Sequence, residues 1–446
     1  VTTAPATYRL REWADGIVNG DAILCDIGNS LVSDNASAPP LGRGVRRCWH
    51  PRLGWSGVGG RFVQGPAPWV TDMHGAGATT ATVTSKSTAW PGTGEVGISP
   101  ITYTAMHSTF NLPNNRMFYV DLTDPRKAGV ESGAFIWADG KAMKGRLLHH
   151  INLDATITAH DAASAGMLPF SIKKRRATVE SGALVAAVVA GAAGTSFVEV
   201  DLGSDAGLPG ISVYDTPGQN EDTKYGAIGG AMFYRVDGSG NRVPGLVYYD
   251  AATGGDKSTD VISQFDGTVV PKKYMAGFFE AMGPGGQWPT HIRLYAPTQN
   301  EHSAENTDFA LGTYGVAKAN ILAIIDAVNA LYDLYGKPRP KILIDSGHQT
   351  GYTNAKTILK ELACYEAAQE RLCHYMSTFQ LGPKNASDAG AVTFYTNPPS
   401  DAVHFGIPDT TEAKGNGESI MAAAQWGAMV MSVDAPTRPR IAQYAA

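Results

Sequence analysis

Apolar and polar positions change rhythm along this chain, and the changes divide it. Thr7 to Val18 is patterned as an amphipathic lead-in, and Ala22 to Ile27 is mostly apolar. A run this short reads as a strand, buried on both faces if it lies in a parallel sheet. Gly28-Asn29-Ser30 ends it. From Val243 onward, strand and helix patterns alternate: strand Gly245–Tyr249, helix Lys272–Met282, strand His291–Tyr295 and helix Thr313–Tyr335. In that long helix Ile321, Leu322, Ile324, Ile325, Val328 and Leu331 are spaced for one buried face. The strand Lys341–Asp345, the helix Ala355–Met376 and a strand from Ala391 to Tyr395 complete the series, and a closing helix starts near Gly415. Such alternation predicts an α/β fold with a parallel sheet and right-handed crossovers.

Between these parts the texture is different. Residues 36 to about 245 are rich in Gly, Pro, Thr, Ser, Trp and Tyr, with short alternating runs at Met117–Asp121, Ala134–Trp137, Leu147–Ile157 and Phe197–Asp201. Turn signals such as Asp139-Gly140 and Asp237-Gly-Ser-Gly240 separate them, the pattern of an all-β sandwich or jelly roll. The first strand must belong with the later ones in one parallel sheet. The expected organisation is therefore a split α/β domain, residues 1–35 and 243–446, interrupted by an inserted all-β domain at 36–242.

The first strand stops abruptly in Gly28-x-Ser30, which puts a hydroxyl at the carboxyl edge of a sheet, where open α/β folds bind ligands. Taken alone, Ser30 reads as a helix N-cap. The far end of the chain alters that reading, because Asn397-Pro-Pro-Ser-Asp401-Ala-Val-His404 follows a predicted strand. Asp-x-x-His spacing lets one loop turn carry both side chains. The carboxylate then fixes the imidazole tautomer and leaves the other ring nitrogen free to take a proton from a serine.

An early strand-Gly-x-Ser and a late Asp-x-x-His-Phe resemble the first and last blocks of the SGNH (GDSL-type) hydrolases. The resemblance implies a three-layer α/β/α fold and a Ser30-His404-Asp401 triad that hydrolyses esters. It also implies oxyanion donors at the nucleophile's own N–H, at a glycine after the second strand and at an amide after the third. Asp250-Ala-Ala-Thr-Gly254-Gly255 is similar to the Gly-Gly-Thr turn of the sialate O-acetylesterase and acetylxylan esterase branch, so Gly254 or Gly255 fills the second place. In Ala296-Pro-Thr-Gln299-Asn300-Glu301, Asn300 aligns with the Gly-x-Asn-Asp block of the wider superfamily. Gln299 aligns with the Gln-Gly-Glu block of the acetylesterase branch. Either one is an amide donor, and Glu301 is expected to buttress the loop. Asn29 stands where a GDSL string has Asp, and the usual glycine of the third block is missing. The implied substrate is a short acyl ester, O-acetyl on a carbohydrate.

Composition adds limits. The chain has 446 residues, 43% hydrophobic and 17% charged, with a formal charge of -5. This describes a globular protein with ample core and argues against a nucleic-acid surface. Lys173-Lys-Arg-Arg176 is the one basic run, read as a solvated turn or an edge strand. The longest apolar run, Ala183–Ala193, is too short to span a bilayer. Four cysteines permit disulfides. On one straight helix Cys364 and Cys373 would lie about 13 Å apart, too far to bridge. The polar start at Val1 fits removal of a targeting segment, and a secreted or periplasmic location is expected. The eleven histidines show no ligand spacing, and no cofactor or metal is expected.

Two strings are decoys. Gly218-Gln-Asn220-Glu221 matches the third block as a string, but it precedes the Gly254-Gly255 turn and so reverses the block order. Asp345-Ser-Gly347 is an aspartic-protease string without the second loop such enzymes need. The rival reading is a glycan-binding protein on a degenerate SGNH scaffold, stacking sugars on Trp55, Trp69, Trp90 and Trp137 of the insertion.

Overall fold

The computed structural model describes residues 4–20, 22–29, 237–241, 247–252, 257–265, 288–298, 311–347, 354–381, 395–397, 401–405 and 417–434. It also describes strands at 61–64, 116–121, 143–150, 170–176, 179–188, 196–203, 209–215 and 230–235, and positions 32, 41, 45, 49, 275, 276, 279 and 301. The chain opens with β1 (Thr7–Tyr8), α1 (Leu10–Val18) and β2 (Ile23–Ile27). The β-rich stretch then gives β3 (Arg61–Gln64), β4 (Arg116–Asp121), β5 (Met143–His150), β6 (Phe170–Arg176) and β7 (Val179–Val188). It continues with β8 (Ser196–Gly203), β9 (Pro209–Asp215) and β10 (Gly230–Arg235). Alternation resumes with β11 (Val247–Asp250), α2 (Ser258–Phe265), β12 (His291–Tyr295), α3 (Leu311–Leu334), β13 (Lys341–Asp345), α4 (Asn354–Glu370) and β14 (His374–Met376). Last come β15 (Tyr395–Asn397), β16 (Asp401–Phe405) and α5 (Gly417–Asp434).

One sheet runs in the order β1-β14-β13-β12-β2-β11-β3-β10-β5-β8. Within it β14, β13, β12, β2 and β11 are mutually parallel neighbours. Counted along the chain, these five strands lie in the order 2-1-3-4-5, a doubly wound arrangement whose direction of winding reverses between β2 and β12.

Alternation along the strands sorts residues onto two buried faces. Cys25 and Ile27, Ile292 and Leu294, and Ile342 and Ile344 join Tyr375 in one apolar cluster with Ile321, Ile324, Ile325, Val328 and Leu331 of α3. Helix α3 is long and apolar enough to cross a membrane, but these residues of its apolar stripe pack on the sheet. The opposite face carries Asp26, Arg293 and Asp345, all fully buried. Arg293 Nε donates to Asp26 Oδ1 at 2.9 Å, and Nη2 reaches the other carboxylate oxygen. Nη1 donates to Gln425 Oε1 of α5 at 3.0 Å, and Gln425 Nε2 donates to Asp345 Oδ2 at 3.1 Å and Thr378 Oγ1 at 2.7 Å. The guanidinium lies 4.9 Å from the Trp49 ring centroid, and Trp49 Nε1 donates to the Ala422 carbonyl of α5 at 2.6 Å. Helix α5 is thus fastened to the sheet by polar contacts as well as apolar ones.

Several expectations are corrected. The parallel strands are part of a longer mixed sheet: β3 pairs with the open edge of β11, and β10, β5 and β8 continue it. Among the described strands of the β-rich stretch, β4, β9, β6 and β7 form a sheet apart. An uncovered β11 edge would leave a row of unpaired backbone groups, and these added strands supply the partners. The basic run Lys173–Arg176 lies in β6, which pairs on both sides with β7 and β9, so it is neither a turn nor an edge strand. The helix expected over Ala355–Met376 stops at Glu370. Cys373 N–H donates to the Ala368 carbonyl at 2.8 Å and Leu372 N–H to that of Gln369 at 3.2 Å, with Leu372 at φ 53°. This is a Schellman cap carried by leucine in place of glycine. Cys373 therefore leaves the helix of Cys364, and both are free thiols, as is Cys25. The strand before Asp401 joins no parallel sheet: β15 and β16 form a two-stranded antiparallel hairpin. Asp401 and His404 thus lie on strand β16, not on a loop turn. Trp55, Trp69, Trp90, Trp137, Cys48 and the Gly218–Glu221 string lie outside the described residues.

Removing one member of a fully buried ion pair strands the other charge in a low-dielectric interior. Arg293→Met is expected to cost about 3–5 kcal/mol in urea denaturation, with Asp26→Leu/Arg293→Met recovering most of the loss.

Candidate active site

The carboxyl ends of β2, β11 and β12 are neighbours, because β2 pairs in parallel with both others. Adjacent strands lie about 4.8 Å apart, so the loops that leave them start side by side. These loops bear the sequence blocks: residues 28–32 after β2, 251–257 after β11 and 296–301 after β12. Ser30, Gly254, Gly255, Gln299 and Asn300 themselves lie outside the described residues, as do the side chains of Asp401 and His404. Their flanks are described, and they define the frame.

Gly28 is required by space. A Cβ there would stand 2.9 Å from the Tyr295 carbonyl oxygen and 3.2 Å from Val32 Cγ2. Asn29 follows, buried, and its Nδ2 donates to the Ala296 carbonyl at 3.3 Å, joining the two strand ends at the reversal point. Val32 N–H donates to the Asn29 carbonyl at 2.9 Å. The departure from Asp at position 29 thus has a structural use: the amide side chain donates where a carboxylate would only accept.

The loop after β12 is held from both sides. Ala296 adopts φ 45°, and its N–H donates to the Asp345 carbonyl at 2.9 Å. Gly347, at φ +79°, packs against it so closely that a Cβ would lie 2.6 Å from Ala296 Cβ. That contact accounts for the glycine in the Asp345-Ser-Gly string, which serves packing here. On the other side, Glu301 accepts a short hydrogen bond from the Ser258 hydroxyl at the start of α2. The buttress expected of Glu301 is present, with a partner that sequence did not indicate. A small cleft at the reversal point is lined by Ile27, Gly28, Asn29, Leu294, Ala296 and Pro297. Thr298 Oγ1 and Ser346 Oγ are buried at the same edge with no hydrogen-bond partner among the described residues. Among the described residues no group of three or more His, Cys, Asp or Glu side chains is placed to hold a metal ion.

Sequence reasoning missed Asp345 as a member of the core. Its Oδ2 accepts from Thr378 Oγ1 at 2.7 Å and from Gln425, and its Oδ1 accepts from Gly347 N–H at 3.0 Å. Burial pushes its carboxyl up to about 6, against the opposing pull of Arg293, Thr378 and Gly347. An acid whose pKa is higher folded than unfolded binds protons preferentially in the native state. Its contribution is therefore greatest below about 4 and is lost as pH rises through about 6. Asp345→Asn removes this titration. The stability of wild type minus that of the variant, from urea curves, should fall between pH 4 and pH 7, and a flat difference would contradict the assignment.

No protein-family model matches the chain, and no curated protein does. Solved structures to which it is similar include a peptidoglycan O-acetylesterase, 13% identical over 96% of this chain and 95% of that one, with a TM-score of 0.45. A family two carbohydrate esterase from Cellvibrio japonicus is 12% identical over 66% of this chain and 87% of that one, with a TM-score of 0.27. The carbohydrate acetylesterase Est24 from Sinorhizobium meliloti is 11% identical over 42% and 78%, with a TM-score of 0.26.

Proposed function

We propose that the chain is a serine esterase that hydrolyses short acyl esters, O-acetyl on a carbohydrate, with Ser30, His404 and Asp401 as its triad. The observation that carries this reading is the placement of the loops. Three blocks far apart in sequence leave the adjacent parallel strands β11, β2 and β12, and β2 and β12 flank the reversal point, where doubly wound sheets bind ligands.

In this reading Ser30 Oγ attacks the ester carbonyl while His404 removes its proton. Asp401 orients the ring and stabilises the imidazolium. The carbonyl oxygen, now anionic, is held by the Ser30 N–H, the N–H of Gly254 or Gly255 and the side-chain amide of Asn300 or Gln299. Collapse of the tetrahedral species breaks the bond to the alcohol oxygen, which leaves with the proton from His404. Water, deprotonated by His404, then attacks the acyl-serine and releases the acid, and the proton returns to Ser30. Glycine at 254 or 255 suits its role, because an N–H without a neighbouring Cβ approaches the substrate closely.

The division at 36–242 enters the same proposal as an insertion in the chain, several of whose strands join the sheet of the flanking segments. Strands from that region pair onto β11, whose following loop carries Gly254 and Gly255. The β-rich part would therefore stand beside the pocket and limit which acylated polymer enters.

On p-nitrophenyl acetate, Ser30→Ala and His404→Ala should each lower kcat/KM by about four orders of magnitude or more. Near wild-type turnover in either variant would overturn the triad. Substrate class is tested separately by acetate release from acetylated xylan and acetylated sialosides, compared with turnover of p-nitrophenyl octanoate. Preference for the glycans is expected. Octanoate turnover with no acetate freed from either glycan would leave the triad and remove the substrate assignment.

A further inference from the structure

Resting on that reading, we propose that Glu301 and Ser258 are positioning residues that set the separation of the two loops assigned the oxyanion donors. Glu301 follows Asn300 directly, and its N–H donates to the Thr298 carbonyl at 3.3 Å. Ser258 lies three residues beyond Gly255 and is fully buried. It is the first residue of α2, and that helix start is itself fixed. The Lys257 N–H donates to the Asp260 carboxylate at 2.9 Å, and the Val261 N–H to the Lys257 carbonyl at 3.0 Å, one half of a capping box.

The hydrogen bond from Ser258 to Glu301 therefore joins two rigid anchors, one per loop. No covalent path shorter than 43 residues links them. An oxyanion hole works only if its donors are preset about 2.7–3.1 Å from one point, and donors on separate loops need a fixed spacing between those loops. A charge-assisted hydroxyl–carboxylate bond is short and about twice as strong as a neutral one. The carboxylate also sits at the N-terminus of α2, where the helix dipole favours negative charge. Cutting this tie should impair stabilisation of the transition state more than binding of the ground-state ester, so the loss should fall on kcat and spare KM.

The test uses the full chain and p-nitrophenyl acetate, with Ser30→Ala as reference and thermal melting to confirm folding. Ser258→Ala and Glu301→Ala should each lower kcat about 10- to 100-fold with KM changed less than about threefold. The double variant should be no slower than the worse single variant. Glu301→Gln, which keeps an acceptor oxygen, should retain most of the rate. Should Ser258→Ala or Glu301→Ala melt in the assay range, the Gln variant and the double-variant comparison are run below that melt. Wild-type kcat in Ser258→Ala or Glu301→Ala, beside an inactive Ser30→Ala, would overturn the positioning role and leave the triad standing. Multiplicative losses in the double variant would overturn it as well. An active Ser30→Ala would remove the reading beneath it and the inference together.

Discussion

The buried pair of Asp26 and Arg293 is the interaction on which the rest of the sheet depends. Two charges withdrawn from water cost several kcal/mol each unless geometry and further hydrogen bonds compensate. Here the compensation is specific: two contacts to the carboxylate, a third bond from the guanidinium to Gln425, and the ring of Trp49 over its face. Such a pair accepts few alternative arrangements. It aligns β2 with β12 at the register Arg293↔Asp26, the two strands that flank the reversal point.

Through Gln425 the constraint passes to Asp345 and Thr378, and so to the ends of β13 and β14 and to helix α5. The segment with Asp401 and His404 precedes α5 in the chain, so fixing that helix limits where the segment can return to the sheet. The loop after β12 is fixed independently, by Gly347 against Ala296 on one flank and by Ser258 on Glu301 on the other. The proposed site draws on four distant stretches and needs restraints of this kind, because no local sequence would hold it together.

The parallel strands were legible because short apolar runs alternating with long amphipathic helices admit few other folds. Two of their buried charges, Asp26 and Arg293, pair at long range. Cys25-Asp26-Ile27 and His291-Ile-Arg293-Leu-Tyr295 alternate as a half-exposed strand does, yet both faces are covered, since the charges find each other across 267 residues. Pairings at that separation leave no local pattern. The three-residue strand β14 is too short to show a period, and Leu372 ends α4 without the glycine that marks such a cap. Ser30, Asp401 and His404 stood out in the sequence by residue type and order, and their joint role belongs to the proposal. Ser258 did not, because a serine three residues after Gly255 reads as a helix start and its partner lies on another loop.

On the proposal above, separate loops meet beside β2 to activate one serine, and a crystal structure of the protein after reaction with an alkyl fluorophosphonate would test it. Phosphorus should be bonded to Ser30 Oγ, with a phosphoryl oxygen about 3 Å from donors on both the 254–255 and 299–300 segments. His404 should lie within hydrogen-bond reach of the adduct. An unlabelled Ser30, or a His404 ring more than about 10 Å from it, would overturn the triad.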